Sequence, residues 1–229
     1  MRLVLLASLV ALTGCVASAP YPSPVASAPS GPEPFALAGS AAVLTEADVS
    51  RLLDASVAVP SGGRVAILQV PGATAGSYGY WRIGSEADLW AREATVETLR
   101  ARLLAGAASE VSALPALLVP AEASVPALRE MAVRLQADAL LVFRTSGDLF
   151  ERYRFFRSNE FKAYATCEAL LLDVRTGAIP FTTVVTAEVT TAKQDADFTD
   201  ADASRRAVEE ATLAAIDEMG ARVTAFLRD

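Results

Sequence analysis

Residues 161–189 carry the pattern that most limits what this chain can fold into. Phe161, Ala163, Ala165, Cys167, Ala169 and Leu171 alternate with mostly polar neighbours. After Arg175-Thr176-Gly177 a second alternating set follows: Ile179, Phe181, Thr183, Val185, Ala187 and Val189. Side chains alternate faces along a strand, so period two on both sides of a glycine turn predicts an antiparallel hairpin with one apolar face. The opposite face carries Lys162, Tyr164, Thr166 and Glu168, then Thr182, Thr186, Glu188 and Thr190, and is expected to stay wet. Cys167 falls on the apolar face and reads as a core thiol.

The chain before this hairpin has a different rhythm. "RVAILQV" (64–70) is a continuous apolar run, the type expected inside a covered sheet. A Gly- and aromatic-rich loop, 71–84, precedes a helix from Ser85 to about Ala105, with Leu89, Val96, Leu99 and Leu103 on one face. "ALPALLVP" (113–120) reads as a weaker strand, because Pro115 suits only a strand start or an edge. Ser124 opens another helix with Pro126 in its first turn and Val125, Leu128, Met131 or Ala132, and Leu135 aligned. "ADALLVFRTSG" (137–147) predicts a third strand. A last helix, Asp202 to Leu227, has Val208, Ala215, Ile216, Met219, Val223 and Phe226 as its buried stripe. The predicted class is therefore α/β, in the order β-α-β-α-β-β-β-α. Early alternation argues parallel pairing and the late hairpin adds antiparallel strands, giving one mixed sheet with helices packed mainly on one face.

The N-terminus reads as an address. Arg2 supplies a positive charge, and Leu3 to Leu12 form an apolar run with Ser8 as its one polar member. Ten residues are too few to span a hydrocarbon core as a helix, which takes ~20. The pattern is that of a secretory signal peptide. Residues 16–41, rich in Ala, Ser, Pro and Gly, read as a disordered or polyproline-like tether. "TEADVSRLLDASVAV" (45–59) predicts a short helix, capped by Thr45 with Asp48 three residues on. The expected organisation is a leader over 1–14, a tether over 15–44 and a single α/β domain over 45–229, its core starting near 62.

Composition narrows the chemistry. A formal charge of −7, or −8 once Arg2 is cleaved away, argues against nucleic acid as a partner, since phosphate binding along a strand draws on surplus Lys and Arg. The sequence has no histidine, which removes Ser-His-Asp and Cys-His nucleophile systems and imidazole acid–base chemistry. Two cysteines, Cys15 and Cys167, cannot build a four-thiolate metal site within one chain. No cofactor is expected.

Leu12-Thr13-Gly14-Cys15 closely resembles the bacterial lipobox. That resemblance implies lipidation of Cys15, cleavage after Gly14, and acylation (palmitate-type) of the new N-terminus. Several acyl chains make a stable anchor at ~0.8 kcal/mol per buried methylene. Val16, rather than Asp, after the cysteine implies sorting to the outer membrane, with the domain in the periplasm. The phrase "ADALLVFRTSG … CEALLLDVRTGAI" further resembles bacterial envelope lipoproteins with a CsgG-like or TolB-amino-terminal-like domain, through Ala137-Asp138 and the run from Leu170 to Gly177. This likeness covers roughly residues 62–227. It implies the fold above and a role in envelope assembly or maintenance. Secretion-pore members of that group carry extra amphipathic hairpins of ~9–11 residues per strand. The one candidate insert here, "DLFERYRFFRSNEF" (148–161), is too short for two such hairpins and carries Arg152, Arg154 and Arg157.

Two stretches are candidate partner-binding sites. "PGATAGSYGYWRIGS" (71–85) lies where ligands sit in α/β sheets, yet has no G-x-G-x-x-G and no phosphate-loop lysine. Its Tyr78, Tyr80 and Trp81 are of the type that anchors protein partners, or they fold back on the domain. In "FERYRFFRSNEF" (150–161), Arg152, Tyr153, Arg154 and Phe156 would form a docking surface, or a solvated hairpin with half-buried rings. The pairs Glu209-Glu210 and Asp217-Glu218 sit on a helix and read as a solvated face, and no catalytic or metal set emerges. The sequence-level expectation is a non-enzymatic, outer-membrane-anchored lipoprotein that contacts an envelope protein, with homo-oligomerisation open. The alternatives are a ring-forming secretion-channel subunit or an envelope hydrolase.

Overall fold

The structure, a computed structural model, describes residues 44–57, 59–70, 86–115, 118, 124–152 and 159–228, with the side chains of 86–89 outside that description. The elements run α1 (Glu46–Leu53), β1 (Arg64–Gln69), α2 (Glu86–Gly106), β2 (Glu110–Ala113), α3 (Val125–Arg134), β3 (Ala139–Arg152), β4 (Glu160–Asp173), β5 (Phe181–Ala192) and α4 (Asp200–Arg228). The strands form one five-stranded sheet in the order β2-β1-β3-β4-β5. β1 pairs in parallel with β2 and β3, and β3-β4-β5 is an antiparallel meander. The mixed α/β class and the element order are those the sequence predicts.

Alternating burial along the strands separates two cores. Val65 and Ile67 of β1, Leu141 and Phe143 of β3, and Phe161 to Leu171 of β4 face Leu99 and Leu103 of α2 and the long α4. Ala66 and Leu68, Leu140 and Val142, and Leu172 face Leu128 and Ala132 of α3. The helices are thus shared unequally: α2 and α4 cover one face, and α3 covers the parallel half of the other. β1 is buried on both sides, which is why it reads as an unbroken apolar run.

α4 packs closely because its contact row is small. Ala203, Ala207, Ala211 and Ala215 recur every four residues and are fully buried against the sheet face that carries Ala163, Ala165 and Ala169. Residues four apart share a helix face, so this alanine row lets backbone approach backbone. Gly147 of β3 belongs to the same close layer: a Cβ there would sit 2.9 Å from the Tyr164 carbonyl oxygen. α4 also guards the sheet edge. Arg206 donates to the Ala192 carbonyl at 3.1 Å and to Asp197 at 2.8 Å, and Arg222 reaches the Val184 carbonyl at 3.4 Å. Side chains that occupy an edge strand's free carbonyls blunt its tendency to pair with other chains.

Four boundaries differ from expectation. β2 occupies 110–113 rather than 113–120. The Leu114 N–H still reaches Ile67 at 2.7 Å, but Pro115 has no N–H to continue the ladder. β3 continues past Gly147 to Arg152, so residues 148–152 of the stretch 148–161 extend this strand and pair with β4 from Glu160 on. Ile179 lies outside β5 and is exposed, while Phe181, Val185, Ala187 and Val189 keep the inward face. The helix starts match the sequence signals. Thr45 and Asp48 exchange both bonds of a capping box at 3.2 Å, and Ser124 caps α3 through the Ala127 N–H. α1 ends at Leu53, short of the expected 59.

Candidate functional site

The meander leaves one face without a covering layer among the described residues. α3 reaches only the parallel half, so the outward positions of β3, β4 and β5 stand beyond it. The register aligns them in rows: Arg144, Glu168 and Val184; Ser146, Thr166 and Thr186; Asp148, Tyr164 and Glu188; Phe150, Lys162 and Thr190. This is the wet face expected from the hairpin, widened by a third strand.

The rows are organised by side-chain pairing. Arg144 directs Nε and Nη2 onto one oxygen of Glu168 at 3.0 and 2.7 Å. The hydroxyls of Thr166 and Thr186 lie 3.0 Å apart. Lys162 Nζ is 2.7 Å from Glu188 and 4.9 Å from the centre of the Tyr164 ring. The Phe150 ring meets Tyr164 edge-on at 5.8 Å. The hydrogen bond between Lys162 and Glu188 raises the lysine pKa and lowers that of the glutamate, so both stay charged across the neutral range. Two apolar side chains stand out on this polar surface: Phe150 is 60% exposed and Val184 61%.

Of the residues singled out by sequence, the structure describes one. Arg152 ends β3 with its side chain 75% exposed and Nη1 3.7 Å from Glu160. Cys15, Tyr78, Tyr80, Trp81, Tyr153, Arg154 and Phe156 lie outside the described residues. Sequence reasoning did not place Arg144, Asp148 and Phe150 on the same surface as Tyr164 and Glu188. The signal was present: period two continues from Arg144 to Arg152 in polar and aromatic residues, once 148–152 is read as strand.

The carboxylates that the sequence pairs on α4 are largely engaged by arginines. Glu210 pairs with Arg206 at 3.3 Å, Asp217 with Arg102 at 3.7 Å and Glu218 with Arg222 at 2.9 Å, so three of the four candidate carboxylates of α4 sit in ion pairs. Among the described residues, no three Cys, Asp or Glu side chains cluster as metal ligands. Cys167 is buried, and loss of solvation, with a smaller contribution from the Glu168 charge, pushes its thiol up to about 12. The reactive species is the thiolate, so this thiol is inert in the folded protein. Cys167 in the folded chain is expected to stay unmodified by a thiol-specific disulfide reagent and to react fully once urea unfolds it. Rapid labelling of the native chain at this residue would contradict the buried placement.

No protein-family model and no curated protein matches this chain. Solved structures with partial similarity include a minor lipoprotein from Acinetobacter baumannii, at 10% identity and a TM-score of 0.36, covering 72% of this chain and 90% of that one. The PelC L103M dodecamer from Paraburkholderia phytofirmans is 19% identical with a TM-score of 0.37, covering 72% and 90%. The C-terminal domain of LpoB from Salmonella enterica is 12% identical with a TM-score of 0.29, covering 64% and 93%. At these values the similarities assign this chain neither a family nor an activity.

Proposed function

We propose that this protein is a lipoprotein anchored through Cys15 in the periplasmic leaflet of a bacterial outer membrane, and that its domain is a non-enzymatic module for contacts with another envelope protein. The anchor rests on the charged start, the short apolar run and the Leu12-Thr13-Gly14-Cys15 motif. The observation that carries the contact function is the open face of the meander. It is a rigid three-strand platform with paired charges and two exposed apolar residues, Phe150 and Val184. Aromatic anchors ringed by polar groups are what protein interfaces use. The likeness of the hairpin phrases to CsgG- and TolB-type envelope proteins points to assembly or maintenance of the envelope.

Two measurements test the two halves. The Cys15→Ala chain should leave the membrane fraction, and its full retention would refute lipidation. A photo-crosslinking residue at Thr186, on the open face, should capture a specific envelope protein in intact cells, whereas one at Glu209, on the outer side of α4, should not. Equal capture at both positions, or none at Thr186, would sink the platform reading. Adducts made only with further copies of this chain, together with a ring-sized mass in solution, would favour the secretion-channel alternative.

A further inference from the structure

At the end of the sheet where β1 and β3 begin and β4 finishes, a pocket of about 350 Å³ opens beneath α3. Three guanidinium groups line it. Arg129 of α3 donates Nε to the Val174 carbonyl at 3.0 Å and Nη2 to the Arg175 carbonyl at 2.7 Å. Carbonyl dipoles orient this side chain, but no carboxylate among the described residues neutralises it. Arg175 is exposed at the turn after β4, and its guanidinium has no partner among the described residues. Arg64 donates Nη1 to Gln136 at 3.0 Å and lies 3.8 Å from Asp138.

The nearby acids are already engaged. The Asp138 oxygen closest to Arg64 also accepts the Arg64 backbone N–H at 2.9 Å. Asp173 is buried in the turn, where it accepts from the Arg175 N–H and the Thr176 hydroxyl, and it makes no ion pair among the described residues. A chain with a net charge of −7 therefore gathers three arginines in one concavity and, among the described residues, leaves two of them without a counter-charge. The guanidinium fork matches the oxygens of a phosphate, and a shared anion offsets the repulsion between the arginines. Val133, Ala137 and Val174 supply an apolar wall beside them.

We propose that this pocket binds a phosphate group, with Arg129 and Arg175 as its principal ligands. The source the placement favours is the headgroup of an anionic phospholipid. Arg51 of α1 donates to the Thr176 carbonyl at 3.0 Å, so α1, the first described element after Cys15, rests at this same end. The lipid source rests on the anchored reading; the phosphate chemistry does not.

The test uses the full chain with Cys15→Ala, which removes the anchor, and compares it with the same chain carrying Arg175→Glu. Among the described residues the Arg175 side chain makes no hydrogen bond or ion pair that holds the turn, so thermal melts of the two should coincide. Titration with inorganic phosphate, followed by NMR, should show saturable binding that Arg175→Glu weakens at least about tenfold, or ~1.4 kcal/mol. Co-sedimentation with phosphatidylcholine vesicles should require added phosphatidylglycerol and fall in the Arg175→Glu chain. Phosphate binding without vesicle binding supports the site and assigns it a soluble phosphate compound. Absence of saturable phosphate binding, or binding unchanged by Arg175→Glu, overturns the proposal. The phosphate titration is read in solution, so its outcome is independent of whether Cys15 is lipidated.

Discussion

Phe143→Ala is expected to destabilise the domain by about 3–5 kcal/mol, the cost of truncating a fully buried phenylalanine. Phe143 is 1% exposed and lies in β3, the central strand, on the side covered by α2 and α4. Its neighbours in register are Gln69 of β1 and Ala169 of β4, so it sits where the parallel and antiparallel halves of the sheet meet. A loss of this size is a large part of the ~5–15 kcal/mol that holds a typical domain together. Thermal or urea unfolding followed by circular dichroism measures it, with a drop of roughly 10 °C expected at 2–4 °C per kcal/mol. Phe150→Ala is the internal comparison. That ring lies 60% exposed on the open face with an edge contact to Tyr164, and its removal should cost no more than about 1 kcal/mol. Equal effects at the two positions would mean that α2 and α4 do not cover β3.

Asp173→Ala is expected to cost about 1–3 kcal/mol and to unsettle the arginine pocket as well. The carboxylate is 2% exposed and takes two bonds inside the turn: the Arg175 N–H at 3.0 Å and the Thr176 hydroxyl at 2.6 Å. The Thr176 oxygen in turn accepts the Ala178 N–H at 3.1 Å. The Asp173 backbone exchanges bonds with Gly177 and Ala178 at 2.8 and 2.9 Å, and Gly177 adopts a φ of 80°, which favours glycine. Removing the side chain strands two donors in a site with little access to water. Asp173→Asn keeps acceptor capacity and should recover part of the loss. Unfolding curves for the two variants, read beside phosphate titration, check both consequences. A neutral Asp173→Ala would show that the turn is held from elsewhere. The run Asp173 to Gly177, the end of the Leu170–Gly177 stretch on which the sequence resemblance rests, is thus turn chemistry that shapes the hairpin end.

Much of this architecture was legible because burial writes itself into periodicity. One face of β4 needs apolar residues at every second place, and β1, covered on both sides, needs them throughout. The starts of α1 and α3 were legible for a local reason, since a cap is made by residues three apart in sequence. What stayed hidden was not local. The alanines of α4 are weak hydrophobic signals, and the expected stripe included only one of the four. They become a contact surface only because the facing strand is also built from small residues. The continuation of β3 through Arg152 was obscured by charged and aromatic residues that one face of a solvated strand tolerates freely. Of the candidate partner residues, Arg152 falls at the end of that strand.

The sequence alone determined the class of fold, the hairpin with its wet face, and the reading of Cys167 as a core thiol, because each rests on neighbours along the chain. Tertiary structure decided which face α3 leaves open and which arginines share a pocket. Arg64, Arg129 and Arg175 come from a strand, a helix and a turn, and converge at one end of the sheet. Charge carries no periodicity that announces such a meeting. Only the packing of the sheet brings those side chains close enough for their fields to add.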